Sequence, residues 1–230
     1  MKNPFRDLNR FEKGLWLTSV LAIAGSAVLS GAVDALNVIA SLIGVTALIF
    51  VAKGYVLGQV LTVVFAAFYG VISFFCQYYG EMITYLGMSA PMAALAAVEW
   101  LRNPYRGTRE VQIRRLTKTH AVRLIVLSLI VTVIFYFILK ALGNASLFVS
   151  TLSVTTSFLA SALTYYRSPW YAAAYAANDL VLIVLWIIAS ETDPACMPMI
   201  ACFTMFFLND MYGFINWRRM AKRQESGENA

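Results

Sequence analysis

Charge is what this sequence lacks most. Only 13% of its 230 residues are charged, while 60% are hydrophobic and 14% aromatic. A soluble globular domain carries about 25% charged and about 45–50% apolar residues. With a mean hydropathy of +0.69, the chain has too little polar surface to cover a water-soluble ball. A cytosolic enzyme and a nucleic-acid-binding domain are excluded as first readings. A disordered chain is excluded too, because disorder needs high charge and low hydrophobicity. Histidine is scarcer still. His120 stands alone in a basic segment, so there is no paired-histidine metal motif. Cysteines are few and odd in number. Cys76 and Cys202 lie in apolar runs and Cys196 near a run end. They lack the spacing of a metal site or a disulfide framework and read as small buried hydrophobes. No Gly-x-Gly-Asp phrase precedes an aspartate; Asp210 follows Leu208 and Asn209. That argues against an intramembrane aspartyl protease. No charged or carbonyl-rich filter argues for a channel. No catalytic residue, metal or cofactor is expected.

What is present is apolar length. A membrane helix needs roughly 17–25 apolar residues without free charge. Eight stretches qualify: Gly14–Val33, Ala35–Ala52, Gly54–Gly80, Met82–Val98, Leu124–Leu139, Ala141–Tyr166, Ser168–Ser190 and Pro194–Trp217. The last two are interrupted only by Asp179 and Asp210. The first is too long for a cleaved signal peptide and is followed by further spans. With the N-terminus inside, 17 of the 18 Lys and Arg fall on the inner side, and Lys140 alone falls outside. The outer turns then carry Asp34, Glu81, Glu191 and Asp193. The positive-inside rule therefore turns the net charge of +6 into an orientation with both termini cytoplasmic. Trp16, Trp100, Trp170 and Trp217 sit at inner span ends, where an interfacial aromatic belt places indoles.

The spans group unevenly. Spans two to four and six to eight run almost without loops. In each triplet a basic residue, Lys53 or Arg167, marks the turn after the first helix. Each ends in a similar phrase, Val98-Glu99-Trp100-Leu101-Arg102 and Ile215-Asn216-Trp217-Arg218-Arg219. Span five joins them. The expected fold is an all-α membrane protein of eight transmembrane helices. Its plan is 3+1+3 with SWEET-like parallel repeats, plus an extra N-terminal helix. The segments are 1–34 (N-terminus and extra helix), 35–101 (first repeat), 102–144 (basic loop and linker helix), 145–218 (second repeat) and 219–230 (tail).

Polar side chains inside a bilayer are costly and mark cavities or partner helices. Span three lines up Gln59, Thr62, Tyr69, Ser73 and Gln77. Span six has a ladder of Ser146, Ser150, Ser153, Ser157, Ser161 and Thr164, which reads first as a close-packing face. Span seven places Tyr171, Tyr175, Asn178, Asp179 and Trp186 on roughly one face. Span eight holds Asn209, Tyr212 and Asn216 close together, flanked by Asp210 and Trp217. The candidate substrate site is Gln59, Tyr69, Trp170, Tyr171, Tyr175, Asn178, Asp179, Trp186, Asn209, Asp210 and Tyr212. Aromatic faces stack on a flat ring or hold a cationic one. Amides and carboxylates take hydroxyl donors. The stripes suit a small polar solute with a flat heterocycle.

The run Asn178–Trp186, the run Asn209–Trp217 and the phrase Tyr165-Tyr166-Arg167-Ser168-Pro169-Trp170 resemble the PnuC family of nicotinamide riboside transporters. The resemblance covers about residues 35–220. It implies the 3+1+3 fold and a bacterial cytoplasmic membrane. It also implies facilitated diffusion of a nucleoside-like vitamin, with nicotinamide riboside first and thiamine, riboflavin or deoxynucleosides as alternatives. A cytoplasmic kinase, with no contact required, would trap the product. Of the family's W-x-x-W motif with a following Asn or Asp, Trp170 or Tyr171 would match the first aromatic, Tyr175 stands near the second position, where this chain has no tryptophan, and Asn178 with Asp179 would match the polar end.

The mechanism expected is alternating access, with the two triplets rocking about a midplane site. A substrate-binding module of a multi-subunit transporter is the other reading, with Ala93–Ala97 and Ala173–Ala177 as small-residue docking faces. Partners are the solute and the bilayer, with a homo-oligomer left open and no nucleic acid.

Overall fold

A computed structural model describes residues 3–29, 35–76, 78–144, 146–192 and 197–228. Eight helices among the described residues are long and apolar enough to cross a membrane. They are α1 (Arg10–Leu29), α2 (Ala35–Ala52), α3 (Val56–Phe75), α4 (Tyr79–Arg102), α5 (Lys118–Ala141), α6 (Leu147–Tyr165), α7 (Tyr171–Thr192) and α8 (Met197–Glu228). In the middle of α4, at Tyr85–Ser89, the backbone widens to a π turn, and the Ala90 N–H reaches back to the Tyr85 carbonyl. Asp34, Gln77, Asp193 and Cys196 lie outside the described residues.

Sequence-local features end the helices. After α2, Gly54 takes φ of 69°, a left-handed value that glycine adopts without a Cβ clash. The turn is closed by Gly54 N–H to the Val51 carbonyl at 2.8 Å and Tyr55 N–H to the Phe50 carbonyl at 2.9 Å. After α6, Arg167 plays the same part with φ of 58°. Its guanidinium is held by Glu99 at 3.4 Å and by the Gln112 carbonyl at 3.3 Å. Burial pulls this guanidinium down from its ordinary value, and Glu99 opposes the shift.

The helices pack in a defined order. α2 lies against α3 and α8, α7 against α6 and α8, and α4 against α3 and α6. α1 is laid across α2 and α8, and α5 packs on α6. Much of α5 is exposed and apolar, including Ile125, Leu129, Val133 and Phe137, as a lipid-facing helix requires.

Two of the four inner-end tryptophans are not interfacial anchors. Trp100 and Trp217 are almost fully buried, with rings 5.3 Å apart. The Trp100 indole donates to the Thr164 carbonyl in α6 at 3.1 Å. The Trp217 indole donates to the Val51 carbonyl in α2 at 2.9 Å. Each carries its N–H into the bundle, to the second lone pair of a helix-end carbonyl that already accepts one turn N–H. Trp170 is exposed, as a belt residue should be. Trp16 is half-buried and donates to Thr46.

Glu81 also departs from the sequence reading. It is not in an outer turn but in the first turn of α4, completely buried. Ser153 donates to its Oε2 at 3.3 Å, and Oε1 has no partner. α3 ends at Phe75, earlier than the apolar run suggests, and this carries Glu81 into the next helix.

The basic segments gather at one end of the bundle. Tyr55 bridges to Glu110, Arg114 N–H donates to the Arg167 carbonyl, and Gln224 bonds both Ile113 and Val111. Arg115 pairs with Glu225, and Arg223 with Glu110. The last turns of α8 thus fasten the basic loop.

α1 is fixed at the same end by one carboxylate. Asn9 and Glu12 exchange bonds as a capping box, at 2.9 and 2.7 Å. Glu12 also takes Lys53 at 3.1 Å and the Tyr212 hydroxyl at 2.7 Å. Glu12→Gln leaves Lys53 without its counter-charge. Because Lys53 keeps some solvent access, the expected loss is about 2 kcal/mol rather than the larger figure for a fully buried pair. Thermal unfolding in detergent measures it.

Candidate functional site

The polar stripes of α3, α7 and α8 converge on one internal cavity, closed on the fourth side by α2. Asn178, Asp179 and Tyr175 reach it from α7, Asp210 from α8, and Gln59 with Thr62 from α3. Phe206, Phe65 and Tyr85 supply aromatic walls. Asp179 lies about 12 Å along α7 from its basic end, at 1.5 Å per residue, so the cavity is well inside the bilayer.

Asp179 and Asp210 are both almost fully buried and line the same cavity. Oδ2 of Asp179 has no partner. A buried acceptor without a donor is costly, and a ligand donor or cation relieves that cost. Beside it, the Asn178 carbonyl oxygen accepts from Thr156 at 2.7 Å and Ser157 at 2.9 Å. That pins the amide and leaves its NH2 group to donate. Tyr175 shares a bond of 3.0 Å with Ser161. The α6 serine ladder is therefore more than a packing face, since its hydroxyls orient two cavity residues on α7.

The cavity holds about 50 Å³. Ligand pockets usually measure roughly 300–1,000 Å³. The walls are drawn together here, and a nucleoside needs them to part. Gly44 marks how tight they are. A Cβ there would stand 2.2 Å from the Phe206 ring.

Six of the candidate residues stand elsewhere. Tyr69 and Trp186 are bonded to each other at 2.9 Å in the aromatic core behind Tyr85. Tyr171 packs edge-on against Trp217 at 4.6 Å. Asn209 donates to Ser19 of α1 at 3.0 Å, and Tyr212 to Glu12. Trp170 faces outward with Arg218 over its ring at 6.0 Å. Tyr85 and Phe206 line the cavity and were not picked from the sequence, where an aromatic in an apolar run carries no signal of its own. Thr62 lies on the polar stripe of span three with Gln59, but its spacing alone does not single it out.

The family model described as nicotinamide mononucleotide transporter matches residues 34–219. The chain belongs to that family. It is similar to the nicotinamide riboside transporter PnuC of Neisseria mucosa, 25% identical over 226 residues, covering 95% of this chain and 85% of that one. It is also similar to the nicotinamide riboside transporter PnuC of Haemophilus influenzae, 27% identical over 192 residues, covering 82% and 81%. Among solved structures, the crystal structure of the vitamin B3 transporter PnuC superposes with a TM-score of 0.83 over 94% of both chains at 24% identity. That likeness establishes the fold. The protein is a multi-pass membrane transporter and not an enzyme.

Proposed function

We propose that this transporter imports nicotinamide riboside, or a closely related cationic vitamin, by facilitated diffusion with alternating access. The observation that carries the reading is the convergence of Gln59, Tyr175, Asn178, Asp179 and Asp210 on one small cavity inside the bundle. Two buried carboxyls beside a phenol ring suit a flat cation, and the Asn178 amide suits a hydroxyl or carboxamide. Nicotinamide riboside carries a pyridinium and thiamine a thiazolium. Riboflavin and deoxynucleosides are neutral and would use less of the site. The names of the relatives favour the first.

Reciprocal contacts support two parallel repeats. Trp100 ends one triplet and bonds the first helix of the other; Trp217 does the reverse. Gly54 and Arg167 close equivalent turns. Two such units, meeting at Trp100 and Trp217 and rocking about the cavity, would open it to each side in turn. The basic end faces the cytoplasm by the positive-inside rule, where a kinase would trap the product.

Proteoliposomes holding the purified chain test the proposal. Saturable uptake of radiolabelled nicotinamide riboside is expected, with thiamine a better competitor than riboflavin or deoxynucleosides. No saturable uptake of any of them would sink the reading. Uptake only with an added ATPase would favour the multi-subunit alternative.

A further inference from the structure

At the basic end, outside the transport cavity, a second cleft of about 330 Å³ opens between the turn before α7 and the last turns of α8. We infer that it binds the phosphate headgroup of an anionic phospholipid. Its charge is uneven. Arg115 and Glu225 neutralise each other through two bonds of 2.5 and 2.7 Å. Arg218 and Lys222 are left without an acidic partner among the described residues. They stand four residues apart on α8, on one helix face, where like charges repel. An anion between them removes that repulsion. Arg218 is held in place by aromatic faces, with the Phe214 ring at 5.5 Å and the Trp170 ring at 6.0 Å.

The surroundings select a lipid over a free phosphate. Trp170 lines the cleft and is 57% exposed, the posture of an indole anchored at a membrane interface. Toward the bilayer, Leu208, Met211 and Ile215 form an exposed apolar stripe on α8. The spacing of three and four continues through Arg218 to Lys222, so one face of α8 presents an acyl-chain track leading to a headgroup site. Basic pockets at the ends of membrane helices take anionic headgroups in this way.

The test uses the full chain in lipid nanodiscs of defined composition. Replacing phosphatidylcholine with one-third phosphatidylglycerol should raise the unfolding midpoint by about 5 °C. Arg218→Gln with Lys222→Gln should lose that rise. Lys13→Gln, a charge removed from α1, should keep it. If the double variant fails to fold, Arg218→Lys with Lys222→Arg retains both charges and should keep the response. Inorganic phosphate added to phosphatidylcholine nanodiscs should give no rise. An equal rise with inorganic phosphate would overturn the lipid assignment. So would a full response to phosphatidylglycerol in the double variant, because the cleft would then not be the site. Neither outcome bears on the uptake experiment.

Discussion

Asp179→Asn is expected to cut uptake of nicotinamide riboside by about tenfold to a hundredfold while leaving the fold intact. Asparagine fills nearly the same volume, so packing changes little. What is lost is the carboxylate that meets the cation. A hydrogen bond or ion contact to a charged group contributes about 1.5–3 kcal/mol, and 1.4 kcal/mol is about a factor of ten. Asp210→Asn should act in the same direction. Because the two carboxyls line one cavity, the double variant should lose less than the product of the single losses. Initial rates in proteoliposomes, with expression and monodispersity as controls, measure this. Unchanged affinity and rate in Asp179→Asn would remove Asp179 from the site.

Trp217→Ala carries the largest expected loss of stability, about 3–5 kcal/mol, as for other large buried aromatics. The ring is fully buried between Trp100 and Tyr171, and its N–H bonds the Val51 carbonyl. Trp217→Phe separates the contributions. It keeps most of the packing and removes the donor, for an expected cost of about 1–2 kcal/mol. Because Trp100 makes the matching bond across the bundle, a cycle combining changes at both positions should show a coupling of about 1 kcal/mol or more. Chemical or thermal unfolding in detergent reads these values. Strict additivity would mean that the two tryptophans are independent anchors rather than one joint.

Much of this protein is legible in its sequence. Eight apolar runs became eight helices because a span needs only length, low charge and a breaker. Lys53-Gly54 and Arg167-Ser168 were breakers visible in the chain. The basic segments marked one end of the bundle because charge stays at the water boundary. Asn178, Asp179 and Asp210 stood out because a bilayer makes polar groups expensive.

Periodicity could not reach further, since it gives the angle of a residue on its own helix but not the helix that angle will face. Tyr69, Trp186, Asn209 and Tyr212 lie on polar stripes like the cavity residues, yet tertiary packing bonds Tyr69 to Trp186, Asn209 to Ser19 and Tyr212 to Glu12. Glu81 looked like a turn acid until the early end of α3 put it inside α4. Tyr85 and Phe206 became cavity walls only when α4 and α8 were set against α3. By itself the sequence determined spans, charge sidedness and the three polar intruders, because each depends on one residue's cost in lipid. Only the tertiary structure decided which intruders meet, because that depends on the mutual rotation of packed helices, and no single helix encodes it.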